Sequence, residues 1–336
     1  METILITGAA GFIGFHLSKT LCEKGYTVIG IDNINDYYDI ELKYGRLNAL
    51  GISKNEAENF NQLCTSSKFK FSFYRTAIED FEFLNQLFST YAFSRVIHLA
   101  AQAGVRYSIE NPHAYGQSNL VGYLNILECC RHHQVKQLMY ASSSSVYGNS
   151  TDVPFQTTQN VDHPISLYAA TKKANELMAH TYSHLYKFQT IGLRFFTVYG
   201  PWGRPDMAMF LFTDAILNGR PIKVFNHGDL SRDFTYIDDI IQGIIKLIEK
   251  ESIPLYQLYN IGNSKPVQLM DFIQEIEKAT GLTAELDMQP MQPGDVNQTW
   301  ANVDDLMQGF GYQPTYPVDK GVHNFVEWFK SYYKNK

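Results

Sequence analysis

The 336-residue chain has only four cysteines, Cys22, Cys64, Cys129 and Cys130, and none stands in a CxxC spacing. Adjacent Cys129 and Cys130 cannot easily bridge each other, which argues against a disulfide framework and for reduced thiols. No apolar run approaches the ~20 residues of a membrane span. The opening METILITGAAG enters a strand pattern without the basic, apolar, small-residue order of a signal peptide. A cytoplasmic protein with no membrane partner is expected. Positive charge is scarce, with 28 Lys and Arg against 34 Asp and Glu and a net charge of −6. Without a dense basic run, nucleic acid is not the expected partner, and an anionic ligand has to be met locally. The 10 histidines are scattered, and His132 and His133 sit on divergent helix faces, so no metal site is expected. GxSxG is absent, and no serine has the His and acid partners of a nucleophile.

What the chain does have is apolar content, 45% of its residues, enough over this length to bury a large core in one large or two interlocked domains. The strand ILIT runs into GAAGFIG and then the amphipathic FHLSKTLCEKG. Gly8, Gly11 and Gly14 let backbone turn sharply, approach a pyrophosphate and pack the helix close to the strand. The next strand, TVIGI, ends at Asp32, where an acidic residue hydrogen-bonds the adenosine ribose and repels a phosphate on it, favouring NAD over NADP. The polar stretch 33–68, with a helical pattern around Ile40 to Leu50, reads as a surface excursion. The strands FKFSFY, RVIHLAA and KQLMYAS then alternate with helices at Phe81 to Tyr91 and Asn111 to His133, the pattern of an α/β fold with a doubly wound parallel (Rossmann) sheet. Ala100, Ala101 and Gln102 fall at a strand's carboxyl end, where such folds bind ligands.

Within LYAATK, Tyr168 and Lys172 stand four apart on a helix ending near Tyr186, so phenol and ammonium share a face. A neighbouring cation favours the phenolate, which makes the pair a candidate for proton transfer. The same spacing in Tyr332 and Lys336 reads as a solvated tail. The run SSSSVYG ends a strand expected beside the Tyr168 helix, so one of its hydroxyls can share a proton with substrate or phenol.

The segments TGAAGFIG, DNINDYYD, HLAAQAGVRYSIENPHAY, SSSSVYG, HPISLYAATKKANELMAHTYSHLY, GLRFFTVYGPWGRPDMAMF and RDFTYIDDI cover nearly the whole chain. Together they resemble the extended short-chain dehydrogenases/reductases, most closely the UDP-glucuronate 4-epimerases. The resemblance implies Tyr168 as acid/base, Lys172 as the residue that tunes it and holds the nicotinamide ribose, and Ser143, four residues before Tyr147, as hydroxyl partner. For NAD it implies Gly8, Gly11, Phe12, Ile13, Gly14, Asp32, Asn33, Ile78, Leu99, Ala100, Ala101 and Gln102. Ala77 stands where relatives often carry an adenine-contacting Asp, and backbone at Ile78 is the substitute.

For the UDP-hexuronate substrate it implies Ser143, Ser144 and Ser145, Thr197 and Arg204 at the sugar carboxylate, Val224 and Phe225, and Arg232 at the diphosphate. Arg106 is added on its position after the fourth strand, and Asp295 either meets the uridine ribose or closes a turn. The NAD-binding domain is expected at 1–194 with about 236–262, and a smaller, interlocked α/β substrate domain at about 195–235 and 263–336. The expected function is interconversion of UDP-glucuronate and UDP-galacturonate by hydride transfer at carbon 4 with tightly bound NAD. The alternatives are a UDP-glucuronate decarboxylase and a UDP-glucose or UDP-N-acetylhexosamine 4-epimerase. A 4,6-dehydratase would carry Asp and Glu where Ser144 and Ser145 stand. The helices from about Asn111 and about Ile165 resemble those of a four-helix interface, which implies a homodimer.

Overall fold

The computed structural model describes residues 2–250, 253–292 and 294–333, so Lys336, half of the Tyr332/Lys336 pair, lies outside the described residues. The chain divides into two compact units, one of residues 1–148, 160–194 and 249–259, the other of 149–159, 195–248 and 260–336. Among the described residues no helix is long and apolar enough to cross a membrane.

The first unit runs β1 (Thr3–Thr7), α1 (Phe12–Glu23), β2 (Thr27–Asp32), α2 (Ile40–Ala49), α3 (Lys54–Ala57), β3 (Leu63–Thr65), β4 (Phe71–Arg75), α4 (Phe81–Thr90) and β5 (Arg95–His98). Then follow α5 (Tyr107–Glu110), α6 (Pro112–Tyr115), a π-helical stretch Gly116–Gly122, α7 (Tyr123–His132), β6 (Gln137–Ser143), a 3₁₀ turn Ser144–Tyr147, α8 (Leu167–Tyr186) and β7 (Gln189–Phe195). In the second unit come β8 (Thr197–Tyr199), α9 (Ala208–Leu217), β9 (Ile222–Val224), β10 (Ser231–Tyr236) and α10 (Ile237–Ile248). Most of β11 (Tyr256–Ile261) belongs to the first unit, and the second unit continues with β12 (Pro266–Gln268), α11 (Leu269–Thr280), β13 (Leu286–Met288), α12 (Asp304–Phe310) and α13 (Val318–Tyr333).

Among the described residues eight strands form the main sheet, in the order β11-β7-β6-β5-β1-β2-β4-β3. The pairs from β6 to β4 are parallel. Their near-continuous apolar runs suit strands covered on both faces. The order reverses on either side of β1, the switch point at which such sheets bind ligands beyond their carboxyl ends. Strand β11 is its far edge. On one face Leu84, Leu87 and Phe88 of α4 and Tyr123, Ile126 and Leu127 of α7 pack with Leu5, Val96 and Leu138 of the strands.

Two expectations change. The 33–68 stretch is not merely a surface excursion: β3 adds an antiparallel edge to β4, and Arg46 of α2 is fully buried. The helix expected over Asn111–His133 runs without a break from Pro112 to His132, but its winding changes on the way. Pro112 opens α6 at its first turn, where a missing N–H costs nothing, and the Gly116–Gly122 turn is wound wider as a π-helix.

Candidate active site

In the first unit the glycine-rich turn is shaped by close approach. Gly8 has φ +72, and a Cβ there would sit 2.8 Å from the Ala100 nitrogen. A Cβ on Gly14 would fall onto the Gly8 carbonyl oxygen, so the third glycine is what lets α1 start against the end of β1. Gly11 caps α1 without any side-chain hydrogen bond, which leaves the first-turn N–H groups of Phe12 and Ile13 without an intrahelical acceptor. A helix start of this kind suits a phosphate. Asp32 closes β2, its carboxylate accepting Ala10 N–H at 3.2 Å and Ile34 N–H at 2.8 Å. Asn33 follows it and accepts Asn35 N–H at 3.0 Å. Ile78 is buried, and its carbonyl accepts Asn125 Nδ2 at 3.0 Å. This glycine cradle, open helix start and acidic strand end fit the pyrophosphate and ribose of a dinucleotide.

The turn is also gripped from behind by residues that the sequence reading missed. Arg46 Nη1 donates to Ala10 O at 2.9 Å and to Tyr38 OH at 2.8 Å, while Lys43 Nζ donates to Asn35 O at 2.7 Å. Both cations stand over the Tyr38 ring. Their three-residue spacing beside Leu42 and Leu47 was the available sign that one helical face carries them inward.

The loop after β5 hangs from two buried side chains. Thr7 Oγ1 accepts Leu99 N–H at 3.2 Å and Ala100 N–H at 3.0 Å and lies 2.8 Å from His98 Nδ1. With its lone pairs taken, the hydroxyl donates to Nδ1, so the imidazole proton resides on Nε2. Burial, and then the Lys172 charge, push His98 down to about 3, so the ring is neutral. Ala101 leads into Gln102, whose N–H donates to Asn119 Oδ1 at 2.8 Å and whose carbonyl accepts Asn119 Nδ2 at 3.0 Å. Asn119 belongs to the π-helical turn. It also donates to Thr171 Oγ1 at 3.1 Å and is itself held by Asn175 Nδ2 at 2.7 Å. A lone Asn in a helical run gave no sequence signal for this role. Arg106, farther along, is exposed at the start of α5.

Helix α8 begins where Ser166 caps Ala169 N–H at 3.1 Å. Its inward face carries Lys172, 2% exposed, with Nζ 3.0 Å from Ala141 O and 6.0 Å from the centroid of the half-buried Tyr168 ring. Burial pulls the Lys172 ammonium down to about 8. One turn on, Glu176 accepts Ser142 Oγ at 2.6 Å and a two-pronged contact from Arg194 at 2.8 Å on each oxygen. Helix and strand end are thus bolted together twice, at Ala141 and at Ser142. The four serines separate by role: Ser142 is spent on Glu176, while Ser143 Oγ lies 3.1 Å from Ser145 Oγ and accepts Ser145 N–H at 3.1 Å. Ser144 and Ser145 are half-buried in the following 3₁₀ turn.

In the second unit, Thr197 of β8 pairs in parallel with Phe234 of β10, two residues beyond Arg232. Arg232 Nη1 donates to Ser231 O at 2.9 Å and Asn297 O at 3.2 Å. Beside it Asp233 is fully buried and accepts N–H groups from Asn263, Ser264 and Ala301 at 2.7, 3.0 and 3.0 Å. This carboxylate ties β10 to two loops. Arg204 Nε is held by Asp206 Oδ1 at 3.0 Å. Val224 is buried with its carbonyl on Gln289 N–H at 2.8 Å, Phe225 starts a 3₁₀ turn, and Asp295 N–H donates to Gln292 O at 3.2 Å.

The NAD dependent epimerase/dehydratase family matches residues 4–262. Protein CapI of Staphylococcus aureus is 51% identical, over 98% of this chain and 99% of its own. A probable UDP-glucuronate 4-epimerase of Rhizobium meliloti is 45% identical, over 98% and 97% respectively. The crystal structure of UDP-glucuronic acid 4-epimerase from Bacillus cereus, in complex with UDP-glucuronic acid and NAD, superposes with a TM-score of 0.89 at 32% identity, covering 98% of this chain and 100% of that one. With a family match over well over half its length and relatives aligned end to end, the chain belongs to the NAD dependent epimerase/dehydratase family of enzymes.

Proposed function

We propose that the chain interconverts UDP-glucuronate and UDP-galacturonate by inverting carbon 4 of the sugar. NAD, when bound, supplies the acceptor and donor for the hydride at that carbon. Tyr168 as phenolate takes the proton of the 4-hydroxyl, and the Lys172 ammonium beside it favours the phenolate. Ser143 hydrogen-bonds the same oxygen. The sugar then carries a 4-keto group, turns its other face by rotation about the bonds to the diphosphate, and receives its proton back from Tyr168. Turning over requires that binding energy rest on the UDP, through Arg232 and Asp295, and little on the hexose hydroxyls. Thr197 and Arg204 hold the sugar carboxylate, whose loss as carbon dioxide is the hazard of a β-keto acid. A carboxylate held out of line with the carbonyl π-system keeps its carbon.

The observation that carries this reading is the buried Lys172 ammonium, 6.0 Å from the Tyr168 ring on one face of α8. The UDP-glucuronate 4-epimerases among its relatives support the substrate. The test is proton NMR of purified protein incubated with UDP-glucuronate: UDP-galacturonate is expected, and UDP-pentose would overturn epimerisation in favour of decarboxylation. Tyr168→Phe should lower turnover by roughly 10²- to 10⁴-fold with UDP affinity kept.

A further inference from the structure

Trp202 lies two residues before Arg204 and has φ +64. Bulky residues rarely take this left-handed backbone, because Cβ crowds the neighbouring carbonyl. Such an outlier persists only where its surroundings impose it, and here they are aromatic. The Trp202 ring lies 5.3 Å from Trp328 and 4.9 Å from Tyr332, measured between centroids. Those two are one turn apart on α13 and stacked at 5.6 Å with 18° between planes. Helix α13 is itself fixed: Phe325 and Phe329 pack on Phe210 of α9 at 6.1 and 5.1 Å, and Asn324 Nδ2 donates to Tyr236 OH at 3.2 Å. On the other side of Trp202, Arg204 O accepts Met207 N–H at 3.2 Å and its guanidinium is held by Asp206. The short segment between these anchorages is held at both ends.

We propose that Trp202 is a positioning residue for Arg204, clamped by Trp328 and Tyr332 of α13, and that this clamp sets the preference for a sugar bearing a carboxylate. The proposal rests on the reading of Arg204 as carboxylate anchor. Without the ring in its seat, Trp202 relaxes to negative φ, the following peptide swings, and Arg204 is carried off its line. The indole need not touch the ligand.

The test is calorimetric binding of UDP, UDP-glucose and UDP-glucuronate to the full-length holoenzyme. The quantity read is the preference for UDP-glucuronate over UDP-glucose. Trp202→Ala should lower that preference roughly tenfold or more, the scale of a lost charge-assisted contact, with UDP affinity kept. Trp202→Phe should restore most of it, and Tyr332→Ala, which opens the other end of the clamp, should lower it without touching the loop. Arg204→Met is the control. If Arg204→Met leaves the preference unchanged, the carboxylate reading fails, whatever the clamp does. Should Arg204→Met abolish the preference while Trp202→Ala retains it, the clamp is overturned. If Trp202→Ala does not fold, Tyr332→Ala decides, and an unchanged preference there overturns the proposal.

Discussion

His98 shows how a buried side chain can set the shape of a loop through a single hydrogen bond. Held near pKa 3 by burial and by Lys172, it stays neutral and accepts the Thr7 hydrogen that keeps Leu99 and Ala100 in place. An unfolded histidine titrates near ~6.5, so between about pH 6.5 and 3 the unfolded chain binds a proton that the folded chain refuses. The contribution is therefore fully present above about 6.5 and is lost as pH falls toward 3. The urea midpoint of the wild type should fall more steeply between about pH 6.5 and 4.5 than that of His98→Asn, whose amide oxygen accepts the same hydrogen without titrating. Parallel slopes in the two proteins would rule out a buried neutral His98. The sequence marked the strand that carries this residue but not its role, because a single histidine inside the apolar run RVIHLAA has no periodicity of its own.

At the scale of the element, α8 is the clearest case of what a sequence conceals. Its end near Tyr186 and its Tyr168/Lys172 face were legible from the run and its i, i+4 spacing, and its start, read as about Ile165, is set by the Ser166 cap. Its buried stripe does not, because Lys172, Asn175 and Glu176 are polar and at most 2% exposed, and hydrophobic periodicity is blind to them. Arg46 in α2 was hidden in the same way. Glu176→Ala would leave Arg194 buried without its carboxylate, and should cost about 3–5 kcal/mol in urea unfolding. Replacing both by Met should recover most of that loss, since the desolvation of two charges vanishes with them. A loss under ~1 kcal/mol for Glu176→Ala would mean that water reaches the arginine.

The parallel sheet was legible across the whole molecule because its strands are continuous apolar runs between turn residues, whereas the edge strand β3, three residues long in a polar stretch, was not. Exposed apolar residues on two packed helices bear on assembly: Leu124 of α7 is 41% exposed and Leu177 of α8 is 58% exposed. Surfaces of this kind suit a second copy of the chain. Light scattering at micromolar concentration should give a dimer mass, and Leu177→Glu should halve it; a monomer mass for the wild type would count against assembly. The π-helical turn at Gly116–Gly122 gives the chain a constraint of another kind, one of phase. Each residue advances an α-helix by about 100°, and surface loops absorb a gained or lost residue with little effect. Deleting one residue from this stretch would rewind it as ordinary α-helix and rotate everything on one side of it, taking Asn119 away from Gln102 while every other side chain of the site stayed intact. Between Gly116 and Gly122 the number of residues is thus as much a part of the site as their identity.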